Sequence, residues 1–338
     1  MSFGQLRPII GGGPASEHEY PFVVHLSIET RPSWHAVCGG TLLSPSHIVT
    51  AAHCLFHAPS PHAVNVGYGH AHIQRQKTVR AHAFHIHQDF DARTLANDIA
   101  IIELESPIRE TREAHRVPVY FGPVPGGQLL RTMGWGVTSN DAGEHTVARM
   151  NRVDLLVAAP RDCRRVDRAF LSSNGPFVCT STSGGRDECS GDSGAPAILI
   201  EDGRFAGSRS GGISSRFWTK SGSAGVVQGQ PRLVALTSYG DNASHDAHPP
   251  CGDPGGFGFS THVAYYHEFI TNVTALTREQ LEEPVRLDRL ASSSSFPDSF
   301  GRHSSSASGG LRMGHPAPAE LVLLLAAVLL VLVSRHTH

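Results

Sequence analysis

Short apolar segments separated by turn residues constrain the fold of this chain more than any other feature. Phe22–Ile28 reads as a strand, and Cys38–Leu43 with His47–Thr50 reads as a hairpin closed by Ser44-Pro45-Ser46. Further strand patterns lie at 63–68, 98–104, 129–134, 149–157, 195–200 and 233–238. The chain also holds 35 Gly and 22 Pro, and helical periodicity is nearly absent before residue 280. The pattern therefore predicts an all-β fold of antiparallel barrels.

The C-terminal part has a different composition. Apolar residues at three- and four-residue steps predict a helix over 263–276 that packs on the domain. Residues 277–315 are charged and then rich in Ser and Gly, which predicts a flexible linker. Residues 316–338 contain thirteen uninterrupted apolar residues, fewer than the roughly 20 that span a bilayer. This segment predicts a membrane anchor or a C-terminal sorting signal, and the sequence does not choose between them.

The charge and the cysteines exclude some classes of partner. The net charge of −2 gives no electrostatic basis for binding nucleic acid. The six cysteines include no C-x-x-C pair, so we expect disulfides rather than a zinc ribbon, although spacing alone permits fifteen pairings. Disulfides would place the domain outside the cytoplasm.

His82, His85 and His87 are interpreted as structural or exposed residues, and no motif predicts a metal or a cofactor.

The segment 187–196, D-E-C-S-G-D-S-G-A-P, carries the first chemical signal. Ser193 stands in a tight turn flanked by Gly191 and Gly194, where its hydroxyl can project beside converging backbone N–H groups. Alone, such a tetrapeptide is also an ordinary polar turn. It predicts a nucleophile only if the chain also supplies a base and an acid that orients the base.

Two further motifs supply these groups. Thr50-Ala51-Ala52-His53-Cys54 places a histidine at the end of a strand, and Asn97-Asp98-Ile99-Ala100 places an acid before an apolar strand. An unpaired charge would be unfavourable to bury there. Together, His53, Asp98 and Ser193 offer the base, the acid and the nucleophile of a catalytic triad.

With these motifs the chain resembles the trypsin-like serine proteases of the chymotrypsin family. The resemblance covers about 9–275 and rests on six motifs in the family's order. They are I-I-G-G, A-A-H-C, N-D-I-A, G-W-G, G-D-S-G and S-Y-G. It implies two six-stranded antiparallel barrels with a C-terminal helix, in a protease domain at 9–276. Residues 1–8 would be a short extension or the remnant of a propeptide, since they lack the apolar core of a secretory signal.

The resemblance also implies the roles of the site residues. His53 would move the proton of Ser193, Asp98 would orient His53, and Ser238 would neighbour Asp98. The N–H groups of Gly191 and Ser193 would form the oxyanion hole. The implied disulfides are Cys38–Cys54, Cys163–Cys179 and Cys189–Cys251.

The specificity pocket follows from the same resemblance. Asp187 matches the acid at the floor of the pocket, which favours Arg or Lys before the scissile bond, and its alternative role is a solvated turn acid. Gly240 and Gly258 match the wall glycines, and Ser238 also belongs to this substrate-binding set. Glu188 departs from the small residue usual in the family and would either add negative potential or point away. The segments 203–231 and 241–250 are longer than usual, so extended-site preference is not predicted.

Activation in this family joins a new amino terminus to the acid before the nucleophile. Here the pair would be Ile9 and Asp192, but Pro8 stands where relatives commonly have Arg or Lys. A trypsin-like activator would therefore leave Pro8 attached, and either a different enzyme removes 1–8 or the true start lies upstream.

The N-x-[ST] patterns at Asn242 and Asn272 are candidate glycosylation acceptors in a eukaryotic secretory pathway.

The sequence thus predicts a serine endopeptidase, secreted or at the cell surface, with the C-terminal tail as a candidate membrane tether. Its expected partners are protein or peptide substrates and protein inhibitors. The alternatives are a catalytically silent binding module and an esterase with the same nucleophile. An intact triad disfavours the first, and the acid predicted at the pocket floor disfavours the second.

Overall fold

Two closed antiparallel β-barrels form the domain. The structure, a computed structural model, describes residues 9, 11–31, 34–140, 146–182, 184–200, 229–244, 246 and 249–290. The first barrel has the strand order β2-β3-β4-β7-β6-β5, closed by pairing of β2 with β5. Its strands are β2 (Val23–Arg31), β3 (Trp34–Ser44), β4 (His47–Thr50), β5 (Val64–Tyr68), β6 (Lys77–Ile86) and β7 (Ala100–Leu104). The two six-stranded barrels predicted from the sequence are confirmed.

The second barrel has the order β9-β10-β13-β12-β11-β8 and closes through pairing of β9 with β8. Its strands are β8 (Leu129–Gly134), β9 (Asn151–Val157), β10 (Phe177–Ser181), β11 (Pro196–Ile200), β12 (Pro231–Asn242) and β13 (Gly256–His262). The short strand β1 (Gly13–Pro14) adds to the edge of β9. The N-terminal segment therefore belongs to the second barrel, although the first barrel follows it in the chain.

The strand patterns locate most of these elements but miss four. The hairpin of β3 and β4 and the strand β8 lie where the sequence places them. The strands β1, β6, β10 and β13 were not predicted. β13 contains two glycines, which weaken a strand signal, and β6 carries charged residues and histidines on its exposed positions. Tertiary pairing rather than local propensity forms these strands.

A shared core joins the barrels. Phe22 and Val49 of the first barrel pack in one cluster with Met133, Trp135 and Ile198 of the second. The indole N–H of Trp135 donates to the Ala71 carbonyl at 2.8 Å, which satisfies the polar edge of this buried ring. The cleft between the barrels is thus backed by continuous apolar packing.

Helices are short and lie outside the barrels. They are α1 (Ala52–Leu55), α2 (Pro160–Cys163), α3 (His267–Thr274) and α4 (Arg278–Glu282), with 3₁₀ turns at Pro61–Ala63, Ile73–Arg75, Val263–Tyr266 and Leu287–Arg289. The helix predicted over 263–276 is therefore a 3₁₀ turn followed by α3. It ends at Ala275, whose φ of 56° is left-handed.

The packed domain extends past the predicted boundary at 276. Thr277 and Gln280 form a capping box that starts α4. Leu281 and Val285 are buried, and the Leu281 carbonyl accepts a hydrogen bond from the Val119 N–H at 2.7 Å. In this segment, where the sequence predicts the start of a linker, two apolar residues thus pack on the domain.

The remaining C-terminal predictions lie outside the described residues. These are the linker after 290 and the apolar tail at 316–338. Within the part of the chain that the structure describes, no helix is long and apolar enough to cross a membrane.

Candidate active site

His53 and Asp98 form the best-defined contact of the site. The short helix α1 directly follows β4 and presents His53, while Asp98 lies two residues before β7, the strand that pairs with β4. One Asp98 oxygen contacts His53 Nδ1 at 2.8 Å and the other accepts the His53 backbone N–H at 2.8 Å. Because a carboxylate only accepts, Nδ1 carries the hydrogen and Nε2 is left as the basic nitrogen.

Two hydroxyls from the second barrel hold Asp98, whose side chain is fully buried. Ser238 on β12 donates to the same Oδ2 that contacts His53, and Thr261 on β13 donates to the Asp98 backbone carbonyl at 2.9 Å. Four hydrogen bonds thus surround one buried residue. Three of them reach the carboxylate itself and offset the loss of hydration that burial of the charge entails.

Ser193 lies beside His53, with the Cys38–Cys54 disulfide next to both. The Ser193 carbonyl accepts the Gly39 N–H at 2.7 Å and is 3.7 Å from Cys54 Sγ, which in turn lies 3.9 Å from His53 Nε2. Between these described residues no hydrogen bond joins the Ser193 hydroxyl to His53. Such bonds are often long in a free enzyme and shorten when substrate binds.

The turn before Ser193 leaves two backbone donors free. The Ser190 carbonyl accepts the Val137 N–H at 2.8 Å, and since the next peptide is trans, the Gly191 N–H points the opposite way. Gly191 has a φ of 95°, and a Cβ there would lie 2.8 Å from the Thr146 side chain. Among the described residues, the N–H groups of Gly191 and Ser193 donate to no acceptor. This arrangement can receive a developing oxyanion.

Asp192 is buried, and none of the described residues offers it a cation. Its exposed fraction is 1%, and its two oxygens accept the N–H groups of Gly136 at 2.8 Å and Cys189 at 3.1 Å. A Cβ at Gly136 would lie 2.5 Å from the Asp192 carboxyl carbon, so this glycine is required for the packing. Burial raises the pKa of Asp192 to about 7, although the two backbone donors oppose the change.

Ile9 is buried in the domain, where it packs on strand β9. Its side chain is 1% exposed and contacts Val153 and Leu155 of β9. Its φ is 45°, which is a strained conformation for a β-branched residue.

Asp187, the acid predicted at the floor of the specificity pocket, is buried and held by backbone donors. Asp187 is 9% exposed, and its oxygens accept the N–H groups of Glu188 and Gly252, both at 2.9 Å. Burial raises the pKa of Asp187 to about 6, with Asp253 adding to the shift and the backbone donors opposing it. Gly240 and Gly258 lie directly opposite each other on β12 and β13. A Cβ at Gly258 would lie 2.9 Å from the Thr180 hydroxyl.

The three disulfides have the pairing that the resemblance implied: Cys38–Cys54, Cys163–Cys179 and Cys189–Cys251. Among the described residues, one group has metal-like spacing, namely Cys38, His53 and Cys54. Since the two cysteines are bonded to each other, they offer no thiolate ligand.

The sequence missed Asn140, which makes two hydrogen bonds to Cys251. Its side-chain amide donates to the Cys251 carbonyl and accepts the Cys251 N–H, both at 2.9 Å. The next residue, Gly252, donates to Asp187. Asn140 and Cys251 are 111 positions apart, and a lone asparagine in a loop gives no signal of such a contact. Thr261 was missed for the same reason.

The two candidate glycosylation sites differ. Asn242 is 5% exposed, and its amide N–H group donates to Asp246 and Asp253, both at 2.9 Å. Its side-chain oxygen accepts the N–H groups of Ser244 and Asp246. A glycan on Asn242 is incompatible with these contacts, so this asparagine, the last residue of β12, holds the residues that follow the strand. Asn272 on α3 is exposed.

Comparison with known proteins shows a family model, described as Trypsin, that matches residues 9–228. Serine protease 56 of Homo sapiens is 30% identical over 268 residues, which are 78% of this chain and 38% of that protein. Brachyurin of Leptuca pugilator is 32% identical over 193 residues, 56% of this chain and 80% of brachyurin. Chymotrypsin of Phaedon cochleariae is 30% identical over 197 residues, 56% of this chain and 69% of that enzyme. The match thus spans less than half of serine protease 56. With more than half of its length matched by the family model, the chain belongs to the trypsin family of serine proteases.

Proposed function

We propose that this serine protease is an endopeptidase that cleaves after Arg or Lys through an acyl-enzyme intermediate. The observation that carries the proposal is the contact of His53 with Asp98, which uses both carboxylate oxygens and leaves Nε2 as the basic nitrogen. Ser193 supplies the nucleophile beside it. The proposed pocket acid is Asp187.

In the proposed reaction, Ser193 Oγ attacks the substrate carbonyl and its proton passes to His53 Nε2. Asp98 keeps the imidazole in the required tautomer and stabilises its protonated form. The negative oxygen of the tetrahedral intermediate accepts the N–H groups of Gly191 and Ser193. Loss of one such donor typically raises the barrier by about 3 kcal/mol. His53 then protonates the leaving amine, and water releases the acyl group by the reverse sequence.

Activation is proposed to require a free amino terminus at Ile9. The buried carboxylate of Asp192 packs against Gly134 and Gly136. Gly134 ends β8 and pairs with Asn151 at the start of β9. Ile9 packs on the same strand β9. A new ammonium group at Ile9 would give this carboxylate a cation and would stabilise the turn of Gly191 and Ser193. Removal of Pro8 also ends the strained φ of Ile9, because φ requires a preceding carbonyl carbon.

The three disulfides support an extracellular localisation, because disulfides persist in oxidising compartments.

The tail at 316–338 is proposed as a membrane tether. Expression of the full chain beside a chain ending at 315 tests the tether, because the full chain alone should be recovered with membranes.

Hydrolysis of matched peptide amides with Arg, Lys, Phe or Ala before the scissile bond tests the proposed activity. The chain would begin at Ile9 through an engineered cleavage site, with Ser193→Ala as the inactive variant and Ser190→Ala as a neighbouring control. We expect cleavage after Arg and Lys that requires Ser193. Cleavage after Phe or Ala instead would remove the role of Asp187, and absence of Ser193-dependent amide cleavage would favour the silent binding module.

A further inference from the structure

Glu188 places a second carboxylate at the specificity pocket. A Cβ built on Gly258 would lie 4.0 Å from Glu188 Oε2, and Gly258 is the cross-strand partner of Gly240. Glu188 keeps some accessible surface although its carboxylate lies deep in the domain. The carboxylate therefore points toward the wall glycines rather than away from them.

Side chains with hydroxyl groups lie around this second carboxylate. Thr132 on β8 and Thr237 on β12 adjoin Glu188, and Ser260 on β13 lies opposite Thr237. Thr132 and Ser260 are each 1% exposed, and neither hydroxyl makes a hydrogen bond of normal geometry within the described residues. Buried polar atoms without partners are rare, and they indicate a site that a ligand or water completes.

The charges acting on the two carboxylates are negative. Burial raises the pKa of Glu188 to about 7, and Asp187 and Asp192 add to the shift while the hydroxyls of Thr132 and Thr237 oppose it. Asp253 acts in the same direction on Asp187. A cation that enters this pocket would favour the ionised form of both acids, so its binding releases protons at neutral pH.

We propose that Glu188 is the second acid of the pocket and that the pair Asp187–Glu188 selects Arg over Lys. This inference rests on the proposed function. A guanidinium offers five N–H donors in a planar fork, whereas an ammonium offers three donors around one point. The ligand must satisfy two carboxylates and the Ser260 hydroxyl, which has no hydrogen-bond partner within the described residues, and the guanidinium does this more completely.

Catalysis gives one test. We expect Glu188→Gln to lower the ratio of kcat/KM for Arg over Lys amides by about tenfold, mainly through KM. The ratio of kcat/KM for Arg over Ala amides, in which pH effects common to both substrates cancel, should rise with pH from 6 to 8 in the wild type and less steeply in Glu188→Gln. The exposed Glu268→Gln is the matched control. Unchanged Arg to Lys selectivity and an unchanged pH profile in Glu188→Gln would overturn the inference.

Direct binding separates this inference from the proposed function. Calorimetry of the full chain with n-butylguanidine and n-butylamine, in buffers of different ionisation enthalpy, measures affinity and proton release without catalysis. We expect tighter binding of the guanidine, with proton release near pH 6.5 that falls in Glu188→Gln and in the smaller Glu188→Ser. Equal binding of the two probes, or proton release that neither variant changes, contradicts the role of Glu188 even if peptides are cleaved. Guanidine-selective binding that depends on Glu188 supports it even if catalysis is absent.

Discussion

The Ser238 hydroxyl, on β12 of the second barrel, donates a hydrogen bond to the Asp98 carboxylate, which belongs to the first barrel. The same carboxylate oxygen contacts His53 Nδ1 at 2.8 Å. The acid that orients the base is therefore fixed from both sides of the cleft. Relative displacement of the barrels would disturb the base directly.

Removal of this hydroxyl should weaken catalysis more than binding. We expect Ser238→Ala to lower kcat by about tenfold, because a buried charge loses one of its donors. Steady-state kinetics on an Arg peptide amide measures the effect, with Thr271→Val on the outer face of α3 as the control. A loss confined to KM would show that Ser238 serves the pocket and not Asp98.

The Asn140 clamp should act on the pocket. Asn140→Ala removes both hydrogen bonds to Cys251 and loosens the segment that carries Gly252, a donor to Asp187. We expect KM for Arg amides to rise about fivefold to tenfold, since two net hydrogen bonds position this rim, with kcat less affected. The conservative Asn140→Asp keeps only the acceptor and should fall between wild type and Asn140→Ala. Equal KM values in all three proteins would leave Asn140 without a positioning role.

Processing at Ile9 should switch the enzyme on. N-terminal sequencing of active protein should read Ile-Ile-Gly-Gly. The chain that retains 1–8 should have at least about 100-fold lower kcat/KM. In that chain Asp192 lacks its cation, and the oxyanion donors are therefore less well held. Asp192→Asn should remove most of the gain on processing. Full activity with Met1 still attached is the result that contradicts this activation step.

Buried His25 should make the domain sensitive to acid. It is 7% exposed, contacts the Trp135 ring at a centroid distance of 5.3 Å, and burial lowers its pKa to about 4. The unfolded chain binds this proton near pH 6.5 and the folded chain does not, so stability falls as the pH drops from 6.5 toward 4. The full effect is about 3 kcal/mol in the free energy of unfolding.

Urea unfolding of His25→Leu at several pH values checks this. The slope of unfolding free energy against pH between 4.5 and 6.5 should be smaller in His25→Leu than in the wild type, whereas the exposed His82→Ala should keep the wild-type slope. Parallel curves for all three proteins would show that His25 is not the acid-sensitive group.

The parts of the fold and site that the sequence predicted are those that local chemistry defines. His53, Asp98 and Ser193 each stand in a short motif with a required neighbour, and the strands of the first hairpin have a clear apolar pattern. The structure joins His53 to Asp98 and pairs the cysteines as the resemblance implied.

The parts that it did not predict depend on contacts between distant residues. The side-chain direction of Glu188, the donors Asn140 and Thr261, and the strand β13 acquire their roles only when the second barrel closes. In the segment after 276, Thr277 and Gln280 form a capping box that the sequence could have indicated. The many charged residues of this segment led to the prediction of a linker, although Leu281 and Val285 are buried.

Covalent labelling of Ser193 tests the central claim most directly. The processed chain would be treated with diisopropyl fluorophosphate and mapped by mass spectrometry, beside His53→Ala and Ser193→Ala. The account predicts one label on Ser193, formed rapidly in the wild type and lost in both variants. Absence of label on Ser193, or equal labelling in His53→Ala, would contradict a working triad of His53, Asp98 and Ser193.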